Sequence, residues 1–538
     1  MANTLNLGTD GNWATKEGSL LGYNSESNNY KPLPFTFTRA SKATVINKDG
    51  LIETVGSGQP RIDFLGNTQG ALKLEPQRTN LITQSEAFGD SYWTKSGSTI
   101  QADPSTAGSE LVTNGDFSTD SDWTKQTGWS ISGGSANYDF ATNSKYIRQT
   151  LLNGGFVSGK NYQVNFEITS GVAYLNVKSN AETLESTALY SIGSYSIYVT
   201  ASANGSDLLI YGINTQGSAF SIDNVSVKEV QGFTSPDGTT NAYKLVEDST
   251  NSSHRIEQTL SAISGVTYTQ SVFAKKGERS LLQLDGKNGI CGTANVDFDL
   301  ENGTFTENNG AIGSIELIGN SFYKCTFTFT AVATVTNSMF ISLGVYQGDG
   351  TSGVYIYGAQ LEQGSYATSY IPTQGSAVTR LRDLCDTQNL SHVIGQTEGV
   401  IFYDAILVHK STSTSEDLFE LSIDDGSNQN IFFINNYNNT LVVGLNNGGS
   451  NQFSNNSFNP TEGARYKLAF AYKQNDFALY INGNQIATDS SGTVPTLNQI
   501  TFGNYYNNQS ILSNSVKVNN FQFYNTRLSN VELQALTS

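Results

Sequence analysis

The sequence predicts an all-β, multi-domain protein built from antiparallel jelly-roll β-sandwiches, one inserted in another, with a further sandwich at the C-terminal end. Two observations predict the class. Apolar and polar residues alternate in Tyr162–Ile168, Cys325–Thr330 and Phe521–Tyr524, the period of a half-buried strand. Turn pairs such as Asp237-Gly238 and Asn482-Gly483 punctuate these runs. Composition agrees. Gly is abundant at 52 residues, charged residues make up only 14%, and aromatics at 11% supply enough apolar bulk to bury cores rather than leave the chain disordered. The 538 residues predict about three to five domains at roughly 100–200 residues each. One helix is expected, from Ser529 to Leu536, where Ser529 and Glu532 make a capping box.

The order of domains follows from a repeat. One set of landmarks runs Asp122-Trp123-Thr124-Lys125, Ile147-Arg-Gln-Thr-Leu151, Ser158-Gly159 and Tyr162, ending at Ser221–Val230. A second runs Tyr92-Trp93-Thr94-Lys95, then much later Ile256-Glu-Gln-Thr-Leu260, Ser264-Gly265 and Tyr268, ending at Val354–Glu362. The extra length between the first two landmarks of the second set is close to one whole copy of the first. Residues 108–230 are therefore expected as a jelly roll inserted into a discontinuous host roll, 84–107 plus 231–375. Insertion at an exposed loop with close-set ends is tolerated. Residues 1–83 are expected as a separate N-terminal attachment or oligomerisation region, 376–394 as a linker, and 395–538 as the C-terminal sandwich.

Composition also excludes classes of function. A net charge of −17 disfavours nucleic acid, which selects basic patches. No run approaches about 18 apolar residues, so membrane insertion is not expected. The stretch Met1–Trp13 has neither a basic start nor an apolar run, so no signal peptide is expected. Cys291, Cys325 and Cys385 lack metal-site spacing and are expected as buried free thiols, with a Cys291–Cys325 pair as the alternative.

A family resemblance rests on specific motifs. Phe37-Thr-Arg-Ala-Ser-Lys-Ala-Thr44, Gly50–Glu53, Pro60-Arg-Ile-Asp63 and Leu74-Glu-Pro-Gln-Arg-Thr-Asn-Leu81 resemble a signature of tailed-bacteriophage fibre and appendage proteins. The likeness continues through Ser85–Phe88, Tyr92–Lys95, Ser235–Gly238, Lys244–Asp248, Gly348–Gly350, Ile356–Glu362 and Ser369–Thr373. The insertion is similar to carbohydrate-binding-module jelly rolls through Leu111–Phe117, Trp123, Trp129 and Ile222–Val225. The C-terminal part is similar to laminin-G and concanavalin-like sandwiches through Tyr466–Phe470, Ala478–Gly483, Ile500–Gly503 and Leu528–Leu533. The resemblance implies a virion appendage, either a tail-fibre, a head-fibre or a receptor-binding subunit, made in the host cytoplasm and displayed on the virion for host attachment. It implies host cell-surface glycans and other virion structural proteins as partners, and a homo-oligomer, in many relatives a trimer. A structural decoration or adaptor protein is the alternative; a glycan-degrading enzyme ranks behind both.

Sugar recognition calls for an aromatic plate with amides or carboxylates beside it. The best cluster is Trp123 and Trp129 with Asp122 and Asn137; the competing role for both tryptophans is core packing, more so for Trp123 because Trp93 holds the matching place. In the C-terminal sandwich, Tyr437, Asn446, Tyr505 and Tyr506 suit polyol binding and equally suit hairpin turns. No cofactor is expected unless the sandwich holds Ca²⁺, for which Asp424 and Asp425 are the candidates. Catalysis is not expected. Glycoside hydrolysis needs two carboxylates across a cleft. The ExDxxE pattern is absent from 395–538, and GxSxG, HExxH and P-loop motifs are absent from the whole sequence.

Overall fold

A computed structural model describes residues 2–16, 18–29, 34–409, 418–503 and 515–538. The chain is almost entirely antiparallel strand and divides into two compact units. Unit 1 comprises residues 1–79, 368–371 and 379–538; unit 2 comprises 80–367 and 372–378.

Unit 1 is a two-sheet sandwich. In one sheet the strands run in the order Asn484–Asp489, Asp476–Ile481, Arg465–Lys473, Glu398–Leu407 and Val516–Tyr524. The far side of Val516–Tyr524 is shared by Leu5–Leu7, opposite Phe521–Phe523, and by Ala71–Leu74, opposite Val516–Val518. In the other sheet Pro34–Thr38 pairs with Leu384–Thr387, which pairs in turn with Gln499–Phe502. Leu418–Asp424, Ile431–Tyr437, Thr440–Asn447 and Ser450–Phe458 follow. Leu5, Phe35 and Leu72 share one core with Tyr403, Phe470, Phe502 and Phe521.

This corrects two expectations. Residues 1–79 are not a separate region but strands of the C-terminal sandwich, and the 376–394 segment supplies a central strand rather than a linker. The physical reason is length. N-terminal strands of three to five residues cannot bury a face alone and complete a sheet made elsewhere.

Ions weld the same segments. Arg39, Arg61 and Arg380 are each at most 1% exposed. Arg39 Nη1 lies 3.0 Å from Asp383 Oδ1, and Arg61 contacts both Asp383 and Glu75, the latter at 2.7 Å. Arg380 lies 3.6 Å from Glu75 and 3.7 Å from Asp383. Lys73 and Lys517 flank Asp63 at 3.0 and 3.1 Å. Burial opposes ionisation of Asp63 and Glu75, yet their cationic neighbours hold Asp63 down at about 2 and Glu75 well below the usual range. The motif residues Arg39, Arg61, Asp63 and Glu75 are thus parts of one buried ion lattice.

Unit 2 contains four sheets. Thr94–Ser96 pairs with Asn251–Ala262, and Ser98–Gln101 with Tyr243–Glu247, placing strands from either side of the insertion side by side. Strands from 124 to 230 pair only among themselves, as Thr124–Lys125, Lys145–Thr150, Asp207–Gly212, Ala173–Ser179 and Thr183–Tyr190 in one sheet and Trp129–Ser132, Ser135–Tyr138, Phe220–Val230, Asn161–Ser170 and Gly193–Thr200 in the other. The chain leaves and re-enters the host at one place: Asp103 N–H donates to Gln231 O and Gly108 N–H to Glu229 O, both at 2.9 Å.

The repeated landmarks occupy equivalent positions. Lys125 lies opposite Ile147 and Lys95 opposite Ile256. Trp123 Nε1 donates to Asn114 O at 3.0 Å and Trp93 Nε1 to Gln84 O at 2.9 Å. Tyr162 accepts from Val157 N–H and Tyr268 from Ile263 N–H through their hydroxyls. All three cysteines are buried and free. The helix spans Asn530–Thr537 with the Ser529–Glu532 capping box in place.

Candidate functional site

The residues singled out for sugar binding do not converge. Trp123 and Trp129 are each 6% exposed inside the core of the inserted roll. Trp123 packs on Phe117 at 5.1 Å; Trp129 packs on Tyr138 at 5.2 Å and Phe220 at 5.6 Å. Neither ring offers a face to a sugar. Each indole N–H is spent on a main-chain carbonyl, Trp129 on Lys145 O at 2.9 Å. Asp122 sits on an exposed turn with positive φ, bonded to Ser121. Asn137 lies on the strand paired with that of Trp129, on the opposite side of the roll from the sheet that Asp122 leads into, and accepts from Ser221 Oγ at 2.6 Å.

In unit 1, Tyr437 and Asn446 stand at opposite ends of one hairpin, opposite Thr440 and Ile431 respectively. Tyr505 and Tyr506 lie outside the described residues. Asp424 is buried, and burial raises its carboxyl to about 6. Its Oδ1 accepts from Gly426 N–H and Gln499, whereas both Asp425 oxygens are taken by Ser427 and Asn430. A calcium ion needs six to eight oxygens; here one buried oxygen, Asp424 Oδ2, is left over. Among the described residues no group of three His, Cys, Asp or Glu side chains could hold a metal. These two residues do not fit a calcium site.

A different cluster forms on the open face of the inserted roll. Strands Lys145–Thr150, Asp207–Gly212 and Ala173–Ser179 send Ile147, Ile210, Leu175 and Val177 into the core. The intervening residues face outward. Register then puts Tyr146 opposite Tyr211, and Tyr211 opposite Asn176. The tyrosine rings sit edge to face at 5.1 Å, both half-buried. Lys178 Nζ lies 4.8 Å over the Tyr211 ring, and Arg148 stands on the same face, 3.6 Å from Asp207. Asn176 Nδ2 donates to Thr187 Oγ1 at 3.3 Å, while its Oδ1 is a shielded acceptor without a donor. Tyr174 continues the face along the same strand.

Chemically this is an edge-to-face pair of aromatic rings with Lys178 over one of them and Asn176 and Arg148 beside it. A pyranose ring can lay its apolar C–H face against the exposed aromatic carbon and direct hydroxyls to Arg148. The sequence shows both tyrosines as aromatics in separate strands, but only the register of strands distant in sequence makes them neighbours.

No family model matches the sequence, and no curated protein matches it. Solved structures do. The chain is similar to the CBM40 of the Ruminococcus gnavus IT-sialidase at 19% identity, over 28% of this chain and 91% of that one, with a TM-score of 0.24. It is similar to a botulinum neurotoxin type C chain, whose cell entry depends upon interaction with two ganglioside molecules, at 18% identity over 29% and 39% of the chains, with a TM-score of 0.25. It is also similar to Trypanosoma rangeli sialidase in complex with sialic acid, at 11% identity over 75% and 84% of the chains, with a TM-score of 0.23.

Proposed function

We propose that this chain is an adhesion subunit of a virion appendage and that the Tyr146–Tyr211–Asn176 face of the inserted roll contacts host-surface glycan. The observation that carries the glycan assignment is the register that sets two half-buried tyrosines side by side on the outward sheet face, with Arg148 on the same face. The appendage assignment draws on the motif resemblance, whose charged residues form the ion lattice of unit 1. The proposed role is binding without turnover. Oligomerisation would raise the effective concentration of individually weak sites.

The test is a titration of the full chain with host-envelope polysaccharide and defined oligosaccharides. Tyr211→Ala should weaken binding roughly five- to thirtyfold, the factor for about 1–2 kcal/mol, without moving the melting temperature. Unchanged binding in that variant removes the face from the function.

A second reading, a decoration or adaptor protein, has its own support. The adjoining edge strands Thr304–Asn308 and Ile312–Leu317 of the host roll expose Phe305, Ile312 and Leu317. Unpaired edges with apolar side chains suit contact with another protein. Crosslinking at these strands in assembled particles, with no glycan binding by the free chain, would favour this reading.

A further inference from the structure

The inserted roll and its host enclose a cleft of about 710 Å³ within unit 2, apart from the tyrosine face. The host side contributes Gln84, Glu86 and Asp90, the inserted side Ser158, Asn161 and Ser202. The two sides are fixed to each other. Tyr243 of the host donates to Asn161 Oδ1, and Thr200 Oγ1 donates to the same atom at 2.8 Å. Gly89 permits the approach: a Cβ there would stand 2.9 Å from Thr200 Oγ1. The cleft is therefore preformed, and its volume lies in the range of small-molecule sites, about 300–1,000 Å³.

Two properties of the wall define its ligand. The first is hydrogen-bonding character. Amides and hydroxyls dominate, offering donors and acceptors on both sides, which suits a polyhydroxylated molecule. The second is charge. Glu86 and Asp90 line the cleft, and among the described residues its lining holds no Lys, Arg or His. Asp90 is 7% exposed. Its Oδ1 accepts from Tyr92 N–H at 2.7 Å, and among the described residues Oδ2 has no hydrogen-bond partner. The nearest cation, Lys95, gives its hydrogen bonds to the main-chain oxygens of Gly89 and Asp90, at 3.2 and 3.4 Å, rather than to the carboxylate. Glu182 adds a further negative charge behind Ser202, whose N–H it accepts at 3.1 Å. With Lys95 held on main-chain oxygens and Glu182 acting against it, this buried carboxylate with an open oxygen attracts a cationic donor and repels an anion.

We propose that this cleft is a second saccharide site, that it takes a hexosamine whose free ammonium group seats against Asp90, and that it excludes carboxylated glycans. The tyrosine face, bordered by Lys178 and Arg148, has the opposite polarity. The two sites would accept different residues of one heteropolysaccharide.

The test uses the full chain carrying Tyr211→Ala, which weakens binding at the open face. Calorimetric titration compares a glucosamine disaccharide, its N-acetylated form and sialyllactose. The free amine should bind at least tenfold tighter than the acetylated sugar, and sialyllactose should not bind. Asp90→Asn should erase that preference. Gln374→Lys, on the exposed rim, should do the same by placing a cation at the mouth, and it stands in if the Asp90 variant does not fold. Equal affinity for amine and acetamide, equal binding of sialyllactose, or no binding of any of the three overturns the inference. Intact binding by the tyrosine face of the unsubstituted chain alongside any of those results leaves the proposed function standing.

Discussion

In unit 1, segments separated by hundreds of residues meet through charge: Arg39 and Arg61 from one end of the chain close on Asp383. In unit 2, the two halves of the host roll meet through strand pairing, Thr94–Ser96 on Asn251–Ala262 and Ser98–Gln101 on Tyr243–Glu247, and each half carries a local aromatic pin, Trp93 on Gln84 O and Tyr268 on Ile263 N–H. The inserted roll repeats those pins with Trp123 and Tyr162. The difference teaches what each seam tolerates. An ion lattice demands every partner, because a buried charge left alone is costly. An aromatic pin is local, and losing one hydrogen bond leaves the packed ring in place.

Asp383→Ala breaks this comparison most severely. It leaves Arg39 without its carboxylate and takes one of two carboxylates from Arg61 and Arg380, and should cost unit 1 about 3–5 kcal/mol. In a calorimetric scan one transition should move sharply and the other stay; movement of both would mean the seams are not independent.

A smaller effect sharpens the same contrast by pH. Glu420 is fully buried in unit 1 with Tyr466 donating to its Oε2, and burial pushes its pKa up to about 7. The folded state keeps this proton after the unfolded chain, at an ordinary value near 4.5, has released it. The contribution is therefore full below pH 4.5 and declines as pH rises to about 7, by about 2–3 kcal/mol. Asp63 acts with the opposite sign, losing its contribution as pH falls from 3.8 towards 2. Denaturation curves at a series of pH values should show unit 1 most stable between these windows, and Glu420→Gln should flatten the loss above pH 4.5.

Tyr211→Ala comes next, acting on glycan binding and on neither transition. The smallest effect compares the repeated pins. Tyr162→Phe and Tyr268→Phe should each cost about 1 kcal/mol, the net worth of one hydrogen bond. A large difference between them, measured by urea unfolding, would show that the two rolls do not use the repeat in the same way.

The sequence displayed what is local. Strand period, turns, the capping box and the repeat all lie within short windows, so the all-β class could be read directly and the nested arrangement could be inferred. What depends on distant pairing was hidden. Leu5–Leu7 reads as a fragment until Phe521–Phe523 is beside it, and Asp383 reads as linker until Arg39 and Arg61 reach it. The tryptophans were visible as aromatics, but their burial was not. Tyr146 and Tyr211 became a candidate surface only through the register of their strands.

The place of Val516–Tyr524 in the middle of its sheet also sets a clock. Residues 2–79 leave the ribosome early, yet the strand that Leu5–Leu7 and Ala71–Leu74 pair with emerges after about 440 more residues, roughly 20–90 s at a synthesis rate of about 5–20 residues per second. During that interval unit 2 can fold to completion while the early strands wait with open edges. Shielding of this nascent segment, rather than final stability, is then the step at which assembly of the chain is most exposed to aggregation.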